Sequence, residues 1–298
     1  MKVRNRGTLS SSLTVSETGQ LVRFSLVLAT IERTNELSNF LLHLERQTYR
    51  NFELIIVDQN SDNRLLPVIE PYSSRLKVMH LRSPKGISRA RNIGLTRCTG
   101  DVVTFPDDDC WYETRLLEKV ASLLIDHPRW DGLTGKCNAP RSFHFLDRDE
   151  GVLSKMNVWR RSTSVTIFLK NSVIKTVGAF DERLGVGSES GRASAEDIDY
   201  LLRAIENRFH IYYRPDLLID HPDASPIFDH KAHEKGVAYG RGMGYTIRKH
   251  KYPLWFLGYV LFRATGGVLL SLSQSNLSKA KYHCAAFRGR LSGWLEQN

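Results

Sequence analysis

Residues 52–57 read Phe52-Glu53-Leu54-Ile55-Ile56-Val57, an apolar run interrupted by a single glutamate. A short run that is apolar on both faces is typical of a strand buried inside a parallel sheet. Further apolar runs occupy residues 24–28, 76–81 and 102–105, and segments with the apolar spacing of helices separate them. Strands that alternate with helices predict βαβ units and an α/β fold, in which ligands gather at the carboxyl ends of the strands.

The composition and the charge narrow the class of protein. The chain has 298 residues, of which 41% are hydrophobic and 25% are charged, and these values exclude a disordered, collagen-like or coiled-coil protein. The four scattered cysteines match neither a disulfide framework nor a zinc site, and therefore predict free thiols in a reducing compartment. The net charge of +10 is uneven, because residues 229–298 carry eleven Lys/Arg and three Asp/Glu. Such a basic segment favours a polyanionic partner, either nucleic acid or an anionic membrane surface.

Three consecutive carboxylates, Asp107, Asp108 and Asp109, follow the apolar run at 102–105. Adjacent carboxylates repel one another, so they need either solvent or a cation nearby. Carboxylate oxygens are the ligands that Mg²⁺ and Mn²⁺ prefer, and these ions are often shared with substrate phosphates. The alternative is an acidic turn that caps a helix beginning near Glu113. The triplet alone leaves both interpretations open.

Other polar groups are candidate site residues, each with a structural alternative. Glu196-Asp197 opens a predicted helix, where it either supplies a general base or compensates the helix dipole. Asp58 ends the second strand, where a carboxylate either accepts a hydrogen bond from a nucleoside or forms a turn. Arg89 and Arg91 lie beside a helix start and suit a diphosphate, although arginines are also common on helix surfaces.

In their order along the chain, these segments resemble the family-2 glycosyltransferases of the GT-A fold, from about residue 23 to residue 222. Several motifs in the right order are more specific than any one of them. The resemblance rests on Leu28-Ala29-Thr30 with Arg33, on Ile56-Val57-Asp58, on Ser88-Arg89-Ala90-Arg91-Asn92-Ile93-Gly94-Leu95, which is similar to the Ala-Arg-Asn-x-Gly helix, on Asp107-Asp108-Asp109 at the place of the DXD motif, and on Val177-Gly178-Ala179-Phe180-Asp181-Glu182 followed by Glu196-Asp197.

The resemblance implies a role for each candidate residue. Asp109 would ligate Mn²⁺ or Mg²⁺, and Asp107 would lie nearer the donor sugar or ribose. Asp197 would be the general base of an inverting transfer, and His221 a further metal or phosphate contact. Thr30, Arg33 and Asp58 would hold the nucleoside, with Arg91 near the diphosphate. The implied substrate- and nucleotide-binding residues are therefore Thr30, Arg33, Asp58, Arg91, Asp107, Asp108 and Glu196.

The sequence departs from the family pattern at three places. The common Pro-Thr-Tyr start is Ala29-Thr30-Ile31 here, which leaves the loop usable. The family's Asp-Asp after the second strand is Asp58-Gln59, which puts the choice of nucleotide base in doubt. The Gln-x-x-Arg-Trp motif of processive relatives is missing, so the sequence predicts transfer of a single sugar.

The predicted architecture is a GT-A, Rossmann-like mixed sheet flanked by helices, with a basic helical extension. Residues 1–22, which lack the apolar core of a secretory signal, form a flexible arm. Residues 23–228 form the catalytic domain, and residues 229–298 the extension. Within the catalytic domain, residues 23–135 are the nucleotide-sugar half and residues 136–228 the acceptor half. The resemblance implies a nucleotide-diphosphate-sugar donor and a glycan or polyprenyl-linked acceptor of surface polysaccharide synthesis.

The segment from Leu254 to Ser273 is long and apolar enough to cross a bilayer. Arg263 lies near its centre, where a charge costs about 2.5–3.5 kcal/mol on insertion scales. A transmembrane span, a helix packed on the catalytic domain and an interfacial helix therefore all remain open. Flanking lysines and arginines, together with Trp255 and Tyr259, favour the interface. The predicted location is cytoplasmic and peripheral, on the inner face of the cell membrane.

Other functions fit parts of the sequence less well. A nucleotidyltransferase would use a similar metal and nucleotide, but it needs a lysine-rich glycine loop, which residues 29–33 do not supply. A nucleic-acid-binding protein would use the basic extension, yet the sequence carries no helix-turn-helix, zinc-finger or RNP signature. A lectin-like module has no need of a base such as Asp197. We therefore expect no nucleic-acid partner.

Overall fold

The structure is a computed structural model that describes residues 21–138, 147–222 and 227–296. Residues 1–20 of the predicted arm, residues 139–146 and 223–226 of the predicted acceptor half, and residues 297–298 of the predicted extension lie outside the described residues.

The first part of the chain, up to residue 104, is a parallel sheet with helices between its strands. Every residue of the second strand is buried, as its apolar run predicted. Helix α1 (Asn35–Glu45) buries Leu37, Leu41 and Leu44 but leaves Leu42 exposed, and the side chain of Thr34, at its N-cap, makes no capping hydrogen bond. The elements are β1 (Phe24–Thr30), α1 (Asn35–Glu45), β2 (Phe52–Asp58), α2 (Leu66–Ile69), β3 (Val78–Arg82), α3 (Ile87–Leu95) and β4 (Val102–Thr104), with strands in the order β3-β2-β1-β4.

Helix α3 packs unusually close to this sheet. A Cβ atom added at Gly94 would lie 2.4 Å from Val27 Cγ1 and 3.2 Å from Val57 Cγ2, so only glycine fits there. This contact explains the glycine of the Ala-Arg-Asn-x-Gly pattern: it seats the helix against β1 and β2. Arg91 of the same helix is thereby buried beneath the strand ends.

The second half turns the sheet into a mixed one, as predicted. Strand β8 (Ile167–Lys170) lies antiparallel between β4 and β6 (Gly132–Asn138), and β9 (Ile211–Asp220) runs parallel to β6. The full order is β3-β2-β1-β4-β8-β6-β9-β5, with β7 also paired to β9. The elements are β5 (Trp111–Tyr112), α4 (Leu116–Asp126), β6 (Gly132–Asn138), β7 (Gly151–Val152), α5 (Val158–Arg161), β8 (Ile167–Lys170), α6 (Asn171–Val177), α7 (Glu196–Glu206) and β9 (Ile211–Asp220).

Strand β9 is longer than the sequence suggested. The sequence predicts only a short strand at residues 210–213, and Pro215 just beyond it has no N–H to donate to a neighbouring strand. The structure accommodates this proline where the β6–β9 register shifts between Thr134 and Lys136. Pairing then resumes and continues to Asp220. Because β9 is this long, His221 lies at the end of the sheet that carries the aspartate triplet.

The extension forms three helices, α8 (His230–Lys249), α9 (Leu254–Ser273) and α10 (Leu277–Leu295). Helices α8 and α10 touch backbone to backbone through glycines. A Cβ atom added at Gly244 would lie 2.1 Å from the Arg290 carbonyl oxygen, and one at Gly293 would lie 2.1 Å from the Arg241 carbonyl oxygen.

A buried ion network fixes the end of α8 to α7. Asp199 is fully buried and pairs with Lys249 at 2.7 Å, with His250 Nε2 at 2.8 Å and with Arg203 at 3.0 Å. These contacts attach the extension to the helix whose first turn carries Asp197. The extension is therefore packed onto the sheet-bearing part of the chain.

We expect Gly244→Ala to lower the free energy of unfolding by about 2 kcal/mol or more, because the added methyl group meets the backbone of α10. The matched control is Gly258→Ala on α9, where no atom lies within 4 Å of an added Cβ. Helix propensity should make that control neutral or up to about 1 kcal/mol stabilising. Chemical denaturation measures both, and equal unfolding energies would show that α8 and α10 can separate freely.

Candidate active site

The carboxyl ends of β1, β2 and β4 bring the predicted site residues together. Thr30 ends β1, and its hydroxyl donates a 2.6 Å hydrogen bond to Asp108. Asp107 forms an isolated parallel bridge with Ala29, which holds the triplet against β1. This is the edge at which parallel α/β sheets bind ligands.

Asp107, Asp109 and His221 form a cluster that could hold a metal ion. Their ligand atoms all lie within 4.8 Å of one another, and His221 Nε2 is 3.2 Å from Asp109 Oδ1. The hydrogen bond to Asp109 raises the pKa of His221. Burial alone would raise the pKa of Asp109, but the hydrogen bond and charge of His221 lower it below its ordinary value. Asp107, which the resemblance placed nearer the sugar or ribose, thus lies within the metal-competent cluster.

Asp108 has different neighbours from the other two aspartates. Its carboxylate accepts hydrogen bonds from Thr30 and, at 2.8 Å, from Arg33, which also contacts Asp109 at 2.5 Å. Burial raises the pKa of Asp108 to about 6. Arg33 therefore lies directly beside the cluster and neutralises part of its charge.

Arg91 connects the cluster to the first turn of α7. Its side chain is 1% exposed, with Nη2 3.2 Å from Asp107 and Nη1 3.1 Å from Glu196. The guanidinium also lies 5.9 Å and 5.6 Å from the ring centroids of Phe105 and Phe180. Its contacts in the structure are thus with carboxylates and aromatic rings, and the expected contact with a diphosphate stays a prediction.

Asp197 occupies the first turn of α7, next to Glu196. It is partly exposed, and its Oδ1 accepts a 2.8 Å hydrogen bond from the backbone N–H of Ile198. Burial raises the pKa values of both Asp197 and Glu196. Ala195, just before them, has a φ of 69°, a strained conformation for a residue with a side chain. Asp197 lines a cavity of about 660 Å³, so its carboxylate is accessible to a ligand.

Asp58 is fully buried at the end of β2 and joins that strand to β3. Its carboxylate lies 3.0 Å from His80 Nε2 and 2.8 Å from Arg82 Nη1, and it accepts a hydrogen bond from the backbone N–H of Asn60. Its expected contact with a nucleoside stays a prediction. Sequence reasoning missed His80 and Arg82, and only the pairing of β3 with β2 in register could have identified them.

The chain is similar to known glycosyltransferases. The family model Glycosyl transferase family 2 matches residues 25–168. The chain is 30% identical over 102 residues to the Escherichia coli protein named UDP-Glc:alpha-D-GlcNAc-diphosphoundecaprenol beta-1,3-glucosyltransferase WfgD, a match that covers 34% of this chain and 40% of that protein. The chain thus spans well under half the length of this curated relative.

Two solved structures share the fold over nearly the whole chain. The mannosyltransferase PcManGT from Pyrobaculum calidifontis, in complex with GDP-Man and Mn²⁺, has a TM-score of 0.62 at 15% identity, covering 95% of this chain and 91% of that one. TarS 1-349 from S. aureus, in complex with UDP-GlcNAc, has a TM-score of 0.61 at 16% identity, covering 91% and 92%. These likenesses confirm the predicted GT-A fold. Together with the match of residues 25–168 to the family model, they support a family-2 glycosyltransferase of the GT-A fold.

Proposed function

We propose that the protein is a metal-dependent, inverting glycosyltransferase that moves one sugar from a nucleotide-diphosphate sugar to a glycan acceptor carried on a polyprenyl-type lipid. The observation that carries the proposal is the Arg91 bridge. One guanidinium contacts both Asp107 of the metal-competent cluster and Glu196, the neighbour of Asp197. A site for a leaving diphosphate and a candidate base are therefore held in one rigid unit.

The donor set of the cluster suits a divalent cation. Two carboxylates and an imidazole are ligands that Mn²⁺ accepts, and a cation would relieve the repulsion between Asp107 and Asp109. A bound Mn²⁺ or Mg²⁺ would stabilise the negative charge that develops on the departing nucleoside diphosphate. Asp107, Asp109 and His221 would hold it, and the Mn²⁺ named with PcManGT supports this assignment.

Asp197 is the proposed general base. Its carboxylate takes the proton of the acceptor hydroxyl while that oxygen bonds to the anomeric carbon, and the bond from that carbon to the diphosphate breaks on the opposite face. The anomeric centre is therefore inverted. The raised pKa of Asp197 makes its carboxylate a better proton acceptor, and Arg91 positions the turn through Glu196.

The nucleoside is proposed to lie over the ends of β1 and β2. Thr30, Arg33 and Asp108 form one hydrogen-bonded group at the end of β1, and Asp58 lies at the end of β2. The solved neighbours carry UDP-GlcNAc and GDP-Man, so the fold accommodates either type of nucleotide. The absence of a nucleic-acid partner stays a prediction.

Calorimetric binding of UDP, dTDP, GDP and CMP, each with and without Mn²⁺, tests this function. We expect one nucleoside diphosphate to bind at least about tenfold more tightly with Mn²⁺, because phosphate oxygens and the side chains of the cluster would both coordinate the cation. Failure of a folded protein to bind any of the four would leave the aspartate triplet as an acidic turn and overturn the proposal.

We also propose that the protein lies on an anionic membrane surface through α9. Among the described residues, α9 is the one helix long and apolar enough to cross a membrane. Phe256, Leu257 and Val260 pack inward, whereas Leu254 is 70% exposed, Phe262 74% and Leu269 64%. One face of α9 is thus fixed to the protein and the other is apolar and uncovered, which suits a helix lying in the interface.

Replacing that outer face with charge tests the membrane proposal. We expect Phe262→Glu with Leu269→Glu to weaken binding to vesicles containing anionic lipid by tenfold or more, because burying each side chain contributes about 1.5–3 kcal/mol. The matched control is Leu66→Glu with Met79→Glu, two exposed apolar residues of the nucleotide-sugar half. If both variants float equally with the vesicles, α9 packs on the protein without binding the membrane, and the membrane proposal is wrong.

A further inference from the structure

A cavity of about 660 Å³ connects Asp197 to the C-terminal helices. Asp197 lies in its wall with Tyr239 of α8, Tyr259 of α9 and Tyr282 of α10. Asp107, Asp109 and His221 are not among its described lining residues. The cavity is therefore distinct from the metal-competent cluster, although both reach the first turn of α7.

Arginines supply the positive charge of this cavity. Arg160, Arg263 and Arg290 all line it, whereas Asp197 is the only acidic side chain in its described lining. Arg290 is partly buried, and its Nη1 donates a 2.5 Å hydrogen bond to the Val260 carbonyl oxygen. Burial and the charge of Arg263 lower the pKa of Arg290, so these two cations destabilise one another. An anion bound beside both would offset that repulsion.

The cavity opens onto the exposed apolar face of α9. Trp255 and Tyr259 line the cavity and are also 63% and 47% exposed, so they mark its rim. Phe262 and Leu269, farther along the same helix, are exposed to solvent. The described lining thus combines one carboxylate, aromatic rings and arginines, and it borders the exposed apolar face of α9.

We propose that this cavity is the acceptor site and that it binds a lipid-linked sugar diphosphate. The sugar hydroxyl lies at Asp197, the diphosphate between Arg263 and Arg290, and the hydrocarbon along the outer face of α9. The hydroxyl, the diphosphate and the hydrocarbon of such an acceptor each have a suitable counterpart in the cavity or at its rim. Two adjacent guanidinium groups suit a diphosphate, which carries charge on both phosphates. The inference rests on the proposed function, because it needs Asp197 as the base.

The test measures calorimetric binding of farnesyl diphosphate, with inorganic pyrophosphate and farnesol as separate probes of its two ends. All titrations contain EDTA, which removes the divalent cation that could hold the diphosphate probes at the metal-competent cluster. We expect farnesyl diphosphate to bind at least tenfold more tightly than either fragment. Equal binding of pyrophosphate would mean an anion site without a lipid, and equal binding of farnesol would mean an apolar surface without an anion site; either result overturns the proposal.

Arg263→Gln should weaken farnesyl diphosphate binding by about tenfold or more, because it removes charge-assisted hydrogen bonds to the ligand. Arg263 is exposed, so this variant keeps the fold even where Arg290→Gln fails to. The matched control is Arg288→Gln, an exposed residue of α10 outside the described lining, which should bind as the wild type does.

Loss of the same size in Arg263→Gln and Arg288→Gln would mean nonspecific attraction and overturn the site. Unchanged binding in Arg263→Gln would do the same. Metal-dependent binding of a nucleoside diphosphate, measured on the same variants, separates the two proposals. If that binding persists while farnesyl diphosphate fails to bind, the acceptor site is wrong and the glycosyltransferase assignment stands.

Discussion

Asp197→Asn should transfer sugar about 10²–10⁴-fold more slowly than the wild type while it binds the nucleotide and Mn²⁺ unchanged. The amide has nearly the same shape as the carboxylate, and its oxygen can still accept the hydrogen bond from the Ile198 N–H. It cannot take a proton from the acceptor hydroxyl at neutral pH. The loss should therefore fall on kcat and leave nucleotide affinity intact.

The matched control for Asp197→Asn is Glu206→Gln at the other end of α7. That change removes an acidic charge from the same helix, yet Glu206 is half exposed and contacts His250 rather than the cavity. Radiolabelled sugar transfer and calorimetric nucleotide binding should be measured on both variants. Transfer by Asp197→Asn within about threefold of the wild type would remove Asp197 as the base.

Local patterns were enough to predict the sheet and the position of its site. The apolar runs identify β1, β2 and β4, and residues that follow such strands must lie at one edge of a parallel sheet. The order of strands and helices along the chain therefore predicts that Thr30, Asp58 and the aspartate triplet lie at this edge. The close packing at Gly94 also has a local signal, because a glycine within a helical motif indicates close contact with a neighbouring element.

Long-range pairing was not predictable from one sequence. The length of β9 depends on a register shift opposite β6, and that shift decides whether His221 reaches Asp109. The burial of Arg91 depends on how α3 and α7 pack against the sheet, so its contacts with Asp107 and Glu196 carry no local signal.

The contacts of the charged residues in the basic extension were not predictable from the sequence either. Arg290 belongs to a segment whose positive charges could all lie on a solvated face, yet the structure places it in the cavity wall beside Arg263. Helical spacing alone predicts the apolar and polar faces of α8, α9 and α10, but it does not predict which faces pack against one another. The glycine contacts between α8 and α10 decide this, because they set the distance between the helices.

Asp109→Ala should abolish the Mn²⁺ dependence of nucleotide binding. Asp109 supplies one of the three ligand groups of the cluster, and it also holds His221 and Arg33 in place. Loss of even an outer-shell partner weakens metal binding by about 10–100-fold, so loss of a ligand should cost at least about 100-fold. Residual nucleotide binding should equal that of the wild type in EDTA.

The control variant, Glu113→Ala, removes an exposed carboxylate a few residues away and should keep full Mn²⁺ dependence. His221→Ala should show a smaller loss than Asp109→Ala, because two carboxylates remain and carry most of the attraction for the cation. Calorimetry of the preferred nucleotide at several Mn²⁺ concentrations distinguishes these cases. Undiminished Mn²⁺ dependence in Asp109→Ala would place the metal elsewhere, and the Arg91 bridge would then connect α7 to a structural acidic turn.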